Sequence, residues 1–351
     1  MAIYYFILFT SVITAKLNNY FKIRFSKSKI EVFFHISIFI LLFFAVFRSE
    51  SIGVDTRHYI TYFDNALYRN IYDLPYEPGF NLLTKAFQNF SKDFEIYLSF
   101  LSIITLVPIL VVLKKESKKY FWLTLFVFVS TQYVSSFSIL RGYISLMFLL
   151  HAYQYINDNS KKIKFWIYTI LAISFHYSAI IYLLLFIFGK NRYKISHYIT
   201  IIIASIIFYH PVISNWIRIT VINILSFIRP QYNYYALEHN SDSSLVYISI
   251  YAIIVMLSFA YRNKLEQTKK INVLFNMSVF MLVFNLSMSW FPAYSRLSSG
   301  FLIFMSLLIP KIIQAEKDNA LKLVYKVVIC VIFVVYMKLN LSPIFSLYNF
   351  R

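Results

Sequence analysis

Charged side chains are scarce in this chain of 351 residues, and their scarcity excludes a water-soluble fold. Asp, Glu, Lys and Arg make up 14% of the sequence, whereas a soluble domain has about 25%. Hydrophobic residues make up 59%, which leaves too little polar surface for a soluble protein of this size. With 5 glycines and 8 prolines, the chain also lacks the composition of collagen or of a disordered protein. A single cysteine, Cys330, excludes an intramolecular disulfide framework.

Acidic side chains are scarcer still. The sequence has 15 Asp and Glu residues against 34 Lys and Arg residues, for a formal net charge of +19 at pH 7. In a membrane protein, such an excess of basic residues is explained first by membrane orientation and by contact with lipid headgroups, and only then by nucleic-acid binding. We therefore expect a polytopic membrane protein whose partners include membrane lipids and no nucleic acid.

Long apolar runs between the basic clusters predict an all-α, polytopic integral membrane protein with a single transmembrane domain over residues 1–351. A hydrocarbon core about 30 Å thick needs roughly 20 mostly apolar helical residues. Together with a short hairpin near 165–188, the runs predict about 12 membrane segments with both termini outside. The other runs lie at 2–17, 31–48, 95–113, 120–138, 141–156, 195–210, 245–261, 271–291, 297–314 and 322–340.

The basic clusters predict the orientation of the chain. Clusters within 16–29, 114–119 and 161–164 follow the first, third and fifth runs, and the positive-inside rule assigns them to the cytoplasm. A single helix over 165–188 would move all later basic clusters outside, whereas a hairpin keeps them inside. We therefore predict a hairpin with its tip near 174–177.

This topology leaves three segments on the outer face, namely loops 49–94 and 211–244 and a short turn at 290–295. They differ most in length and polarity from the other connections, so loops 49–94 and 211–244 are the candidate active-site face. Gly53, two residues before Asp55, indicates a turn with positive φ.

Loop 49–94 contains charged residues suited to chemistry on a phosphorylated substrate. The planar guanidinium groups of Arg48 and Arg57 suit phosphate oxygens. The carboxylates of Asp55 and Glu77 suit general-base work. The alternative is that these side chains solvate a loop and pair with one another.

Other charged candidates lie outside that loop. Arg141 begins the fifth run and either extends to the membrane interface, as arginines near helix ends do, or contacts phosphate. A lone histidine in an apolar stretch is more often a buried residue than a catalyst, but the expected hairpin tip would bring His176 to water or ligand. Arg296 follows the aromatic turn and is a second outward arginine, and Arg218 and Arg229 are weaker candidates.

Aromatic residues offer candidate sugar contacts. The cluster at 229–235 places aromatic faces beside amide groups, which is typical of a carbohydrate platform, and its candidates are Tyr232 and Tyr235. Tyr59 and Tyr62 are the corresponding candidates in loop 49–94. The alternative is an ordinary aromatic belt at the membrane interface.

Nucleotide and metal motifs are missing from the sequence. It contains no G-x-x-x-x-G-K-[ST], no G-x-G-x-x-G and no H-E-x-x-H, so we expect no cofactor. Asp93 and Glu95 form a D-x-E pair that either holds a divalent cation or stabilises the start of a helix through its dipole. We assign no metal site.

Five parts of the sequence, 48–62, 77–80, Arg141, 172–179 and 294–296, together resemble the EpsG-type family of bacterial polysaccharide polymerases, which are related to Wzy. The resemblance extends over about 1–340. The family's motif residues fall on Arg48, Asp55, Tyr59, Glu77, Pro78, Arg141, His176 and Arg296. One departure is that Arg57 and His58 follow Asp55, where the family pattern has an aromatic or small residue.

The resemblance implies a GT-C-like glycosyltransferase that joins repeat units of O-antigen, capsule or exopolysaccharide. Its substrate would be an undecaprenyl-pyrophosphate-linked oligosaccharide, and its active site would lie outside the bacterial cytoplasmic (inner) membrane. A chain-length regulator of the Wzz type is a possible partner. The implied metal-independent mechanism uses Arg48, Arg141 and Arg296 on the pyrophosphate and either Asp55 or His176 as the base.

Two other functions fit the same composition. A lipid-linked oligosaccharide flippase is also basic, aromatic and helical, although it more often has two related halves and short loops. An O-antigen ligase shares the chemistry and differs in its acceptor.

Overall fold

A computed structural model describes residues 1–24, 31–228, 245–288, 294–341, 348 and 350, and over these residues the fold is helical. An isolated antiparallel bridge between Arg48 and Phe350 is the one β-type pairing among them. The helices are α1 (Ala2–Arg24), α2 (Val32–Val46), α3 (Thr56–Tyr68), α4 (Pro78–Gln88), α5 (Phe94–Ser117), α6 (Phe121–Phe128), α7 (Leu140–Gln154), α8 (Lys162–Phe175), α9 (Ala179–Phe188), α10 (Ile195–Phe208), α11 (Pro211–Ile228), α12 (Leu245–Ala260), α13 (Lys269–Met288), α14 (Tyr294–Ala315) and α15 (Asn319–Asn340).

Apolar helices identify a membrane protein, although few of them span a bilayer by length alone. Among the described residues, three stretches are long and apolar enough to cross a membrane: Phe94–Tyr133, which contains α5 and α6, then α13 and α15. The bent pair α10 and α11 adds a fourth if it counts as one span. Five shorter apolar helices lie among the other expected segments. The all-α class is confirmed, and the count of about 12 segments stays a prediction.

The core is built around α6. Each of its residues except Trp122 is buried, as expected for a helix that is apolar on every side and surrounded by other helices. It packs against α1, α5, α14 and α15. Beyond α6 the chain passes through a π-helical turn at Val129–Tyr133 and a 3-10 turn at Ser135–Phe137 before α7 begins.

The predicted hairpin over 165–188 is confirmed. Helix α8 ends at Phe175 and α9 begins at Ala179, with His176 extended between them (φ −159°, ψ 117°). The rings of Phe165, near the start of α8, and Phe186, near the end of α9, have centroids 6.0 Å apart. The two helices are therefore antiparallel.

The basic turns lie together at one end of the molecule. Lys270 Nζ lies 2.7 Å from Glu116 Oε1 in the last turn of α5, and the backbone N–H of Lys270 donates to Asn157 Oδ1 after α7 at 3.1 Å. Arg192, after α9, donates to Asn272 Oδ1 at 3.1 Å. We call this the basic end. Residues that follow the hairpin lie there beside residues that precede it, and the cytoplasmic location of this end stays a prediction.

The predicted loop 49–94 is largely helical, which is a correction to the sequence analysis. It contains α3, a 3-10 turn at Ile71–Asp73, and α4. Gly53 precedes α3 with φ +114°, so the predicted positive-φ turn is confirmed. Loop 211–244 begins with helix α11, and the remainder of that loop lies outside the described residues.

Candidate functional site

Local sequence fixes the backbone at Glu77. Pro78 is the first residue of α4, where its missing N–H costs no helical hydrogen bond. A residue that precedes proline is driven out of the helical region, and Glu77 is extended (φ −67°, ψ 148°). Glu77 therefore lies at the N-terminal end of α4 and not on a side face of that helix.

A glycine lets α4 approach α8 closely enough for this carboxylate to reach the hairpin tip. A Cβ atom on Gly79 would lie 2.8 Å from the carbonyl oxygen of Ser174, nearer than side-chain carbon atoms approach a backbone oxygen. Gly79 therefore makes the close α4–α8 contact possible.

Glu77 pairs with two of the other predicted site residues. Its Oε1 atom lies 2.9 Å from His176 Nδ1 and accepts a second hydrogen bond from the backbone N–H of Tyr177 at 3.4 Å. Its Oε2 atom accepts a hydrogen bond from Arg141, the second residue of α7. Glu77 is 5% exposed. We call Glu77, Arg141 and His176 the Glu77 centre.

The electrostatics of this centre keep Glu77 ionised. Burial raises the pKa of its carboxyl group, but the hydrogen bond from His176 and the charge of Arg141 outweigh burial and lower the pKa to about 2. A carboxylate with so low a pKa and with both oxygens occupied is a poor proton acceptor. Its position suits it to hold Arg141 and His176 in place.

A cavity of about 120 Å³ adjoins the Glu77 centre. Arg141 and His176 contribute to its lining, together with Asp55, His58 and Tyr59. Asp55 sits at the N-terminus of α3 without capping the helix through its side chain. Four residues that the sequence analysis singled out, from three separate parts of the chain, therefore meet at one cavity.

Aromatic side chains support the centre from the α3–α4 side. The guanidinium carbon of Arg141 lies 3.9 Å from the centroid of the Tyr76 ring, a cation–π contact. The Tyr76 and Tyr62 rings have centroids 4.4 Å apart. Tyr62 is buried and donates to Asn81 Oδ1 at 2.8 Å, and burial raises its pKa to about 12. Of the two predicted sugar contacts on α3, Tyr59 lines the cavity. Tyr62 does not line it and packs against Tyr76.

Arg48 is held away from this cavity. It is 1% exposed, donates to the backbone oxygen of Ala45 and to Ser102 Oγ at 2.8 Å, and stacks with its guanidinium carbon 4.4 Å from the centroid of the Phe137 ring. The cavity lining does not include it. Contact between Arg48 and pyrophosphate stays a prediction, and this burial argues against it.

The remaining predicted residues are not brought to the cavity by the described structure. Arg57 is exposed on α3. Arg296 lies in the first turn of α14, with its side chain outside the described part of the chain. Tyr232 and Tyr235 also lie outside the described residues.

No group of three or more metal-ligating side chains lies within the described ranges. Asp93, from the D-x-E pair, caps α5 instead: its Oδ1 atom accepts from the backbone N–H of Glu95 at 2.7 Å and of Ile96 at 3.2 Å. This geometry matches the helix-start alternative for that pair.

His58 also lines the cavity, although no motif in the sequence pointed to a role for it. The spacing between Asp55 and His58 could have indicated a joint role, because His58 is three residues after Asp55 at the start of α3. Residues three apart on a helix lie on the same side. A histidine and a carboxylate on one side of a helix next to a cavity are candidates for joint proton transfer.

The apolar helices and the buried ionic centre define a helical membrane protein with a polar site between its helices. The sequence model of the EpsG family matches residues 31–350, and the chain belongs to that family. The family is associated with polysaccharide polymerase activity, so the chain is a membrane protein of the polysaccharide polymerase type. No curated protein and no solved structure gives a significant match.

Proposed function

We propose that the chain is a membrane glycosyltransferase that polymerises undecaprenyl-pyrophosphate-linked oligosaccharide repeat units. The observation that carries this proposal is the Glu77 centre beside Asp55 at one cavity. This arrangement combines a cation for a phosphorylated leaving group with two candidate bases for a sugar hydroxyl. Membership of the EpsG family supports the same reaction.

The proposed reaction transfers the growing chain to a new repeat unit. A hydroxyl oxygen of the new unit forms a bond with the anomeric carbon of the growing chain, and the bond from that carbon to the pyrophosphate oxygen breaks. The hydroxyl proton goes to a base on the protein, and undecaprenyl pyrophosphate leaves with the electron pair. The protein must therefore supply a base and must stabilise the negative charge that develops on the leaving group.

His176 suits the role of base because Glu77 orients it. An ionised carboxylate only accepts hydrogen bonds, so Nδ1 of His176 carries the proton in its 2.9 Å contact with Glu77 Oε1. In the neutral imidazole Nε2 then has a free lone pair, as in catalytic histidines that a carboxylate positions. Asp55 is the competing base, and otherwise it orients the acceptor sugar.

Arg141 suits the pyrophosphate. It lines the cavity, and Glu77 and the Tyr76 ring hold its guanidinium in one place. A cation fixed before the reaction stabilises developing charge without reorganising. We assign Arg57 and Arg296 as further pyrophosphate contacts that complete the neutralisation, and Tyr59, Tyr232 and Tyr235 as sugar contacts.

We place this reaction on the extracytoplasmic side of the bacterial cytoplasmic membrane. The basic turns lie at the opposite end of α7 and α8 from the Glu77 centre, and the positive-inside rule assigns basic turns to the cytoplasm. The 14 residues of α8 span about 20 Å at 1.5 Å per residue. In this arrangement the chain has about 12 membrane segments in a GT-C-like fold. A Wzz-type partner would regulate the length of the polymer.

Deletion of the gene tests the proposal. Loss of a polymerase leaves single repeat units where the parent strain makes a polymer ladder. Loss of a ligase instead accumulates long polymer on undecaprenol, and loss of a flippase traps repeat units at the inner leaflet. Either of these two results would overturn the proposed function.

Point variants in the deletion strain test the site. Asp55→Ala, Arg141→Ala, His176→Ala and Arg296→Ala should each reach the membrane and fail to restore the ladder. Arg69→Ala is a matched control, because Arg69 is exposed at the end of α3 and does not line the cavity. Full ladders from all four site variants at normal protein levels would refute the assignment.

A further inference from the structure

A second cavity, of about 250 Å³, lies at the basic end. Three lysines contribute to its lining, namely Lys162 at the start of α8, Lys190 after α9 and Lys269 at the start of α13. Tyr155, Phe165 and Trp166 are among the residues that form its aromatic wall. We call this the lysine cavity. The proposed transfer reaction makes no use of it.

The lysine cavity is held open by contacts between distant parts of the chain. The side-chain amide of Asn276 on α13 donates to the backbone oxygens of Gly189 and Asn191, at 2.8 Å each. Asn272 donates in the same way to the backbone oxygen of Lys190 at 2.9 Å. These three bonds fix the α9–α10 turn on α13, so Lys190 and Lys269 are neighbours in the folded protein.

The charges around this cavity are unbalanced. Asp158 also lines it, but Asp158 forms an ion pair with Lys161 at 2.7 Å, and hydrogen bonds from Lys161 and Ser160 lower its pKa to about 2. Within the described part of the chain, the amino groups of Lys162, Lys190 and Lys269 have no acidic partner within 4.0 Å. The like charges of these lysines repel one another, and an anion bound among them would offset this unfavourable electrostatic energy.

The other two lysines affect the pKa of Lys190. Burial lowers the pKa of its amino group, and the charges of Lys269 and Lys162 lower it further. The Lys190 Nζ atom lies 5.7 Å from the centroid of the Phe165 ring, whose π face partly compensates. The three lysines are thus close enough to act on one ligand.

An apolar face of α8 runs away from the cavity. Ile163, Trp166, Ile167 and Ile170 are all exposed, and their spacing of three, four and seven residues places them on one side of the helix. Trp166 belongs both to this face and to the cavity wall. A ligand with a charged head and a hydrocarbon tail fits this combination, whereas a free anion uses only the charged part.

We propose that the lysine cavity binds the phosphate of an anionic phospholipid headgroup, with the acyl chains lying along the exposed face of α8. Basic pockets between membrane helices bind anionic headgroups in this way. The site lies at the other end of the helices from the Glu77 centre, so it is separate from the proposed substrate site.

The test measures lipid binding by the purified full-length chain in an uncharged detergent. Phosphatidylglycerol should raise the Tm by several degrees in a saturable manner, and phosphatidylcholine should not. The triple variant Lys162→Gln, Lys190→Gln, Lys269→Gln should weaken phosphatidylglycerol binding. Each lysine near a membrane surface contributes roughly fivefold to affinity, so the expected loss is on the order of 100-fold.

A matched triple variant keeps charge removal separate from loss of this site. Lys118→Gln, Lys119→Gln, Lys317→Gln removes the same charge from the basic end at positions that do not line the cavity, and it should bind like the parent protein. Equal weakening by both triples would show unspecific attraction and overturn the proposal. An equal rise in Tm with inorganic phosphate would identify a free-anion site, which also overturns it.

The single variant Lys190→Gln covers the case in which the triple variant does not fold. It should weaken phosphatidylglycerol binding about fivefold with an unchanged Tm in detergent alone. Unchanged affinity in this variant would refute the site. Because binding is measured without any sugar substrate, the result does not depend on the proposed polymerase reaction.

Discussion

The Nδ1 atom of His176 lies 2.9 Å from the Oε1 atom of Glu77, although 99 positions separate the two residues in the chain. Pro78 fixes the backbone of Glu77, Gly79 admits the approach of α8, and the break between α8 and α9 leaves His176 extended at the hairpin tip. Arg141 completes the pairing from the start of α7. Three helices are therefore tied together by one ionised carboxylate.

Glu77→Gln should destabilise the protein and abolish the polymer ladder. The amide has nearly the same shape, but it leaves the charge of Arg141 unpaired in a largely buried place, a change that typically costs about 3–5 kcal/mol. It also no longer requires His176 to carry its proton on Nδ1. The Tm of the purified variant and the ladder of the complemented deletion strain measure the two effects.

Glu50→Gln is the control for this substitution. Glu50 is an exposed carboxylate in the same segment of the chain, and it does not line the cavity. Its replacement should leave both the Tm and the ladder unchanged. Equal behaviour of the two variants would contradict the central position given to Glu77.

The stability that Glu77 contributes should depend on pH in a defined direction. The pKa of its carboxyl group is about 2 in the folded protein, against an ordinary value of 4.5. A lowered pKa stabilises the fold above pH 4.5, and this contribution is lost as the pH falls from 4.5 towards 2. The shift corresponds to stabilisation on the order of 3 kcal/mol.

The measurement compares the Tm of the parent protein with that of Glu77→Gln across this range. The difference should be constant above about pH 5.5 and shrink as the pH is lowered, whereas the difference between the parent and Glu50→Gln should stay near zero. A gap that widens on acidification would show that the carboxylate is not the stabilised form.

The sequence predicted the apolar helices better than the amphipathic ones. Helices α8 and α9 follow from apolar runs between basic clusters, and so does the hairpin that they form. Helix α3 was missed because its segment is polar on average, yet its buried residues Tyr59, Tyr62, Phe63 and Ala66 recur at the spacing of one helix face. Periodicity within the polar segment was the signal that could have found it.

The candidate site was predictable as a set of residues and not as a geometry. Asp55, Glu77, Arg141 and His176 stand out as charged or titratable groups near the expected outer ends of helices. No spacing in the sequence shows that Glu77 pairs with both Arg141 and His176, because these contacts depend on how α4, α7 and α8 pack. For the same reason the sequence could not place Arg48 against Phe137, away from the cavity.

Gly79→Ala should disable the site without removing any polar group. The added Cβ atom would lie 2.8 Å from the carbonyl oxygen of Ser174, so α4 must move away from α8 and the contact between Glu77 and His176 must lengthen. We expect a weak ladder or none, with the protein still present in the membrane. Alanine favours helices more than glycine does, so a loss cannot be attributed to helix propensity.

Leu82→Ala is the matched control for Gly79→Ala. Leu82 lies on the same helix and is exposed, so its truncation leaves the α4–α8 contact intact. It should retain the full ladder. Parent-level polymer from Gly79→Ala would mean that the approach of the two helices is unimportant for the reaction.

Replacement of Arg48 and of Arg141 by lysine should distinguish a structural arginine from one that acts on the substrate. Arg48 is buried against Ser102 and Phe137, so Arg48→Lys should lower the Tm and the amount of protein, and the ladder should weaken in proportion to the protein that remains. Arg141→Lys keeps a charge beside Glu77 but loses the planar fork. It should leave protein levels near those of the parent while reducing polymerisation per molecule by about 100-fold, the typical effect of losing one preorganised donor.

Quantitative immunoblots of membranes, combined with the ladder from the same cells, separate protein amount from activity per molecule. The same protein level in both variants, with activity per molecule lost only in Arg48→Lys, would reverse the assignment. Arg48 would then be the arginine that contacts pyrophosphate, and Arg141 would serve the fold through its pairing with Glu77. The present geometry favours the opposite result, because Arg141 lines the cavity and Arg48 does not.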